Sequence, residues 1–273
     1  MEKIIWLFFI YSFLGWCTEV IYAGASQGVF VNRGFLNGPL CPIYGCGVLT
    51  VLIILLPLRE NLAILFIGSV ALTSALELMT GFLMEKLFHQ RWWDYSEEPF
   101  NIGGYICLRF SLLWGAACVL IVDVIHPLIL RMMTVIPDQV SAPVLFIFGT
   151  IFMTDIAVTV ATVAKLNQRL HEIDEVAHAI RKVSDAIGTV AADGTIAITD
   201  TNEKLRADLH VKHEELRTKR RELIELLHAE QKRLLHAFPD IQSRLHHETM
   251  EEIKDQLRAK LKEKYGQRLA GRF

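Results

Sequence analysis

Before Lys165 this chain is poor in positive charge, and it has no sequence pattern for holding a nucleotide or a metal. Seven Lys and Arg stand in the first 164 residues, against 21 in the rest. No G-x-x-x-x-G-K-[ST] run occurs, so a phosphate-cradling loop and an ATPase activity of its own are excluded. The five cysteines, Cys17, Cys41, Cys46, Cys107 and Cys118, form no C-x-x-C pair, and no nearby His completes a zinc site. They read as small buried thiols, and neither cofactor nor metal is expected. From Lys165 onward 21 basic residues face 19 acidic ones, a balance that gives no footing for nucleic acid. A cleavable leader is not expected either. The first apolar run is too long for one and lacks a clean small-residue cleavage site.

What is present is hydrocarbon. Of the 273 residues 52% are apolar, concentrated before Lys165. Five runs approach the length of about 20 residues that a bilayer requires: 4–22, 40–57, 62–84, 106–130 and 141–164. The second is short and contains Gly45 and Gly47, which suits a broken or tilted helix. The stretch 23–39 is Gly-rich and polar, so its backbone must be satisfied by protein or water. The fold class expected is all-α: a polytopic helical membrane domain over 1–164, a polar helix and linker over 165–202, and a helical hairpin or coiled-coil tail over 203–273. Lys3, Arg59 and Arg131 fall on one side of the five spans. Arg33, Lys86, Arg91, Lys165 and Arg169 fall on the other. The excess places the C-terminus in the cytoplasm, with the chain in the plasma membrane.

In the tail, Asp193-Gly194 can turn a small hairpin between Thr189–Ala192 and Thr195–Ile198, or the stretch is a plain linker. A helix is expected from Glu203 with Asn202 as its cap, ending near Phe238 before Pro239. Leu209, Leu216 and Leu223, then Leu227, Leu234 and Ile241, make one apolar stripe. A second helix carries Ile253, Leu257 and Leu261. The stripe points to a helical hairpin or to self-association of the chain. The basic amphipathic run TKRRELIELL is a place for contact with anionic lipid.

Carboxylates inside apolar runs carry the functional signal. Each costs about 2.5–3.5 kcal/mol to insert and so is expected to face a partner, a polar cavity or a substrate path. Candidate path residues are Glu19, Arg33, Asn37, Glu77, Trp93, Asp94, Tyr95, Asn101, Arg109 and Asp155. Glu19 and Arg33 are expected to pair, and Arg109 to pair with Glu77 or Glu85. Glu19, Arg33 and Asp94 are expected to share one polar mouth. Trp92, Trp93 and Tyr95 read as an interfacial aromatic belt or as a ligand cage. Asp123, beside His126-Pro127, reads as a residue of the far interface. Asp155, near Thr154, Thr159 and Thr162, serves a polar track or an interhelical hydrogen bond.

Three stretches also resemble a known family: SFLGWCTEVIY at 12–22, FVNRGFLNGPLCPIYG at 30–45 and WWDYSEEPFNIGGYICL at 92–108. Over roughly residues 5–165 the chain is similar to the bacterial membrane proteins described as putative ABC-transporter type IV permeases. The likeness departs at Tyr105, where the family usually carries Arg, and it leaves out the charged tail. It implies a multi-pass transporter or permease component working with a separate ATPase subunit. Two other readings of the residues stand beside it. One is a membrane scaffold or sensor whose tail recruits partners. The other is a membrane-embedded enzyme acting on a lipid, with Glu19, Asp94 or Glu77 as acid or base.

Overall fold

A computed structural model describes residues 2–28, 30–193 and 200–265 of the protein. Eight α-helices account for most of them. The first, α1, is Glu2–Gln27. Helix α2, Pro42–Leu55, opens with proline in its first turn, where the missing N–H costs nothing, and runs on as a 3₁₀ turn to Leu58. Helix α3, Leu62–Phe88, is capped by Asn61, whose side chain accepts the Ile64 amide at 3.1 Å. It stops at His89, which takes a left-handed φ of 55° and returns its N–H to the Glu85 carbonyl. Helix α4, Leu108–Leu120, passes through a π-helical turn, Ile121–Ile125, into α5, His126–Met133. Helix α6, Asp138–Asp193, has 56 residues. At 1.5 Å per residue it is about 84 Å long, far more than a bilayer of about 30 Å can cover. Its polar half must therefore project, and there it packs against α7, Asp200–Ala237, and α8, His247–Tyr265.

Four helical segments are long and apolar enough to cross a membrane: Glu2–Ala25, Leu62–Phe88, Leu108–Met133 and Gln139–Val190. The fifth expected span is shorter, Pro42–Leu58. It starts part-way along α1, where the Cys41 amide donates to the Ser12 carbonyl at 2.9 Å. Gly15 and Gly45 permit that approach: a β-carbon on Gly15 would strike the Tyr44 side chain, and one on Gly45 would strike Ser12 and Phe8. The crossing is thus discontinuous, an irregular segment 30–41, bent through 34–39, followed by α2. Helix α1 also runs to Gln27, so residues 23–27 are helical and belong to it rather than to the Gly-rich connection.

Two apolar cores result. One lies among the spans, with Tyr11, Val51, Leu65 and Val122 almost fully buried. The other lies beyond them, with Leu166, Leu170 and Ile173 of α6 against Leu227 and Leu234 of α7 and Ile253 of α8. Trp92 belongs to this second core. It is 4% exposed and sits edge-on to Phe35 and Phe238, with ring centroids at 5.1 and 4.9 Å. That corrects the aromatic-belt expectation for Trp92. A two-residue antiparallel ladder fastens the junction: β1, Gln90–Arg91, pairs with a later strand, Gln242–Ser243. Between them in sequence, β2, Asn101–Ile102, pairs with β3, Ile106–Cys107, which makes Gln242–Ser243 β4.

Two expectations for the tail are corrected. Thr189–Ala192 is helical, as the continuing end of α6, while Thr195–Ile198 lie outside the described residues. Asn202 is inside α7, which opens at Asp200, so it is no cap. Helix α7 does end at Ala237, two residues before Pro239, whose ring cannot continue it.

Candidate functional site

Two irregular segments enter from the end where the tail packs. The segment 30–41 satisfies its backbone from three sides. The Asn37 and Gly38 amides donate to the Asp155 carboxylate at 3.0 and 2.7 Å. The Arg233 guanidinium of α7 donates to the carbonyls of Gly34, Phe35 and Leu36 at 3.0–3.2 Å. Cys41 uses Ser12, as above. Irregular backbone at membrane depth is tolerated only where protein or water satisfies its polar groups. Burial lowers the Arg233 pKa, and Asp155 acts in the opposite direction. The second segment, 92–107, folds back so that α4 begins opposite the middle of α3, where Ser74 donates to Ser111 at 2.7 Å.

Where the two segments meet, side chains from four elements form an inner cluster. Glu19 of α1 accepts the Tyr44 hydroxyl at 2.6 Å and faces the Arg33 guanidinium at 3.4 Å. Arg33 also lies over the Tyr22 ring at 5.0 Å. Tyr44 sits edge-on to Trp114 at 5.6 Å. Glu77 of α3 accepts the Tyr95 hydroxyl at 3.3 Å, and Tyr95 stacks on Phe110 at 4.9 Å. The other carboxylate oxygen of Glu77 is buried without a hydrogen-bond partner. Burial, with Glu77 next, pushes the Tyr95 hydroxyl up, so it stays a neutral donor. Each of the two carboxylates is thus met by a tyrosine hydroxyl, and Glu19 also faces a guanidinium.

An outer cluster surrounds Arg91. Its guanidinium bonds Glu85 at 3.1 Å and Asp94 at 3.2 Å and lies over the Tyr105 ring at 4.7 Å. Tyr105 donates to Glu85 at 2.8 Å, and Arg244 of the tail also pairs with Glu85. Gln242 donates to Asp94 at 3.2 Å. Burial would raise the Asp94 carboxyl, but bonds from the Ser96 hydroxyl and amide, with Arg91 beside it, hold it below the usual carboxylate range.

The structure thus brings Glu19 and Arg33 together, and Glu77 with Tyr95, but it separates Asp94 from them. The expected single mouth divides in two, because Arg91, three residues away, meets Asp94 first. Arg109 is corrected as well. It opens α4 facing outward and pairs with Glu98 at 3.5 Å, while Glu85 is taken by Arg91 and Arg244. Asn37 is held by Asp155 and Thr159, each at 3.0 Å. Asn101 braces its own loop through the Ser96 and Glu98 carbonyls and the Gly104 amide. The Trp93 indole donates to the Tyr105 carbonyl at 2.9 Å. Asp123 lies level with the first turn of α3, by the antiparallel contacts of Ser74 with Ser111 and of Gly115 with Val70, and His126, three residues on, bonds Tyr11 at 2.9 Å. Sequence reasoning missed Trp114 and Arg233 as members of these networks, and it placed Tyr44 at the mouth without pairing it with Glu19. For Tyr44 a signal existed, since it opens the short apolar run behind a Pro. For Arg233 none did, because its partners are carbonyls some 200 residues earlier.

Residues 6–160 match the model of a family described as putative ABC-transporter type IV. No curated protein matches the chain, and no solved structure does. The family match covers both irregular segments, both polar clusters except the tail residues, and more than half of the 273 residues. On that match the chain belongs to the putative ABC-transporter type IV family.

Proposed function

We propose that the chain is the membrane component of a transporter, in which Glu19, Tyr44, Glu77 and Tyr95 line the place where a solute or proton is held. The observation that carries this is the discontinuous crossing. Its helical half opens with Tyr44 against Glu19, near a second carboxylate, Glu77, whose buried side chain is faced by the Tyr95 hydroxyl and the Trp114 indole. Broken crossings beside ionisable side chains are where transporters hold their cargo. Any ATP hydrolysis belongs to a separate subunit, since this chain has no phosphate-cradling loop. The tail lies in the cytoplasm in this reading, on the Lys and Arg count.

Cells lacking the chain should show an altered profile of internal solutes. Wild type should restore it, and Glu77→Gln and Glu19→Gln, at equal membrane abundance, should not. Full restoration by both variants would favour the scaffold reading. One observation favours that reading: α6, α7 and α8 project a charged helical bundle well beyond the spans.

A further inference from the structure

Helices α3 and α4 run antiparallel, and their contacts set a depth scale. Helix α3 starts at Leu62, directly after Arg59, Glu60 and the Asn61 cap. Ser111 meets Ser74, about 18 Å along α3. Leu108, where α4 begins, is then about 23 Å from the level of Leu62. Gly81, which packs against the Tyr105 ring, is about 29 Å from it. The loop before α4 lies in this interval, because Asn101 pairs with Cys107 and Ile102 with Ile106. A hydrocarbon core of about 30 Å that begins at Leu62 ends at the same level. The loop therefore stands at the boundary of the bilayer on the side of the tail. Arg109, exposed and paired with Glu98 at 3.5 Å, puts charge there, where its stem can carry the guanidinium to the headgroups.

At that boundary the loop turns apolar side chains outward. Phe100 is 81% exposed and Ile102 60%, and Met79, Phe82 and Leu83 of α3 and Leu108 of α4 are exposed near the same level. Trp92 and Trp93 are spent elsewhere, one in the second core and one on the Tyr105 carbonyl. The backbone fixes the display. Asn101 donates to the Ser96 and Glu98 carbonyls and accepts from the Gly104 amide. Arg91 donates to the Gly103 carbonyl at 2.7 Å, and the Tyr95 amide donates to the Gly104 carbonyl at 2.8 Å. Phe100 has a φ of 54°, a left-handed conformation that glycine takes without strain and a phenylalanine does not. The ring is thus carried outward against a backbone cost.

We infer that the loop 96–104 is a wedge in the lipid interface: Phe100 and Ile102 enter the bilayer boundary on the side of the tail, and the cluster around Arg91 is the brace that holds them there. Depth selects lipid as the occupant. A loop at this level, continuous with the exposed apolar faces of α3 and α4, meets headgroups and the first acyl carbons. Large apolar side chains flanked by charge, here Glu97, Glu98 and Arg109, suit that layer. The same loop carries Tyr95 to Glu77, so the wedge ties the inner cluster to the membrane boundary. The inference does not depend on what, if anything, is transported.

Spin-label accessibility tests this. With the five native cysteines replaced, full-length chains carrying Phe100→Cys, Ile102→Cys, Glu97→Cys or Met79→Cys are labelled with a nitroxide. Each is placed in vesicles of phosphatidylcholine and phosphatidylglycerol. Collision with oxygen, which concentrates in hydrocarbon, is compared with collision with a water-soluble nickel chelate. Position 79, exposed within the apolar length of α3, is the lipid reference, and position 97 is the water reference. The oxygen-to-nickel ratio at 100 and 102 should exceed that at 97 severalfold and approach that at 79. A label at 100 or 102 as open to the chelate as the label at 97 would place the loop in water. A label there shielded from both agents would mean that protein, from this chain or a second one, covers it. Either result would overturn the inference.

Discussion

At the scale of single residues, the account turns on which guanidinium meets which carboxylate. Arg33 and Glu19 are about a quarter exposed and 3.4 Å apart, and Tyr44 holds the same carboxylate from the other side. Removing Arg33 leaves a charge that one tyrosine cannot balance. Arg33→Ala should cost about 1–3 kcal/mol. Adding Glu19→Gln should recover part of it, with a coupling of about 0.5–3 kcal/mol between the positions in a thermal-unfolding cycle. Strict additivity would mean that the pair does not form. Asp94 gives a pH test. Its folded pKa lies below the unfolded value, so its stabilising contribution is present above the unfolded carboxylate value of about 3.9 and is lost as pH falls through the folded one. The melting temperature of wild type should therefore fall more steeply below about pH 4 than that of Asp94→Asn. Equal slopes would show that Asp94 is not held. These contacts were partly legible. Glu19 and Arg33 flank one connection, and their opposite charges near an apolar run demand pairing. The choice among acids for Arg109 was not legible, because it depends on the direction in which the first turn of α4 points.

At the scale of elements, periodicity located the helices but not their continuity. Helix α6 runs through the boundary between apolar and polar sequence, and its end absorbs Thr189–Ala192, which in sequence reads as a hairpin strand or a plain linker. The stripe on α7 was legible at its seven-residue spacing. Its use was not, since an apolar face can meet a second copy or its own chain. Leu227, Leu234 and Ile241 are buried within the chain, against α6 and α8. Leu227→Ala should destabilise by about 2–5 kcal/mol in denaturant melts. A change below about 0.5 kcal/mol, the range of surface substitutions, would contradict this packing. The clamp on the re-entrant segment is the least legible part, because Arg233 binds carbonyls, which every residue has. Arg233→Ala should increase hydrogen exchange at Asn37–Cys41 while leaving α3 amides unchanged. An unchanged segment would mean that Asp155 and Ser12 hold it alone.

At the scale of the whole molecule, the spans and the tail are joined at the mouth. The same residues that close the segment 30–41, bind Asp94 and complete the Trp92 core come from α7 and the chain just beyond it. Any displacement of the tail must therefore reach the segment that carries Arg33. The family match and the apolar helices are consistent with a membrane transporter component, and the central proposal is that the Glu19–Glu77 cluster is a place that water and cargo reach. The most direct test is thiol accessibility. With the five native cysteines replaced, a single Glu77→Cys chain in proteoliposomes is treated with a membrane-impermeant methanethiosulfonate from either face, and Glu98→Cys serves as the reactive control. The account predicts modification at position 77 from at least one face, slowed when the tail is held by its native contacts and faster in Arg233→Ala. No modification from either face, with the control fully labelled, would contradict it and leave the cluster a sealed structural contact.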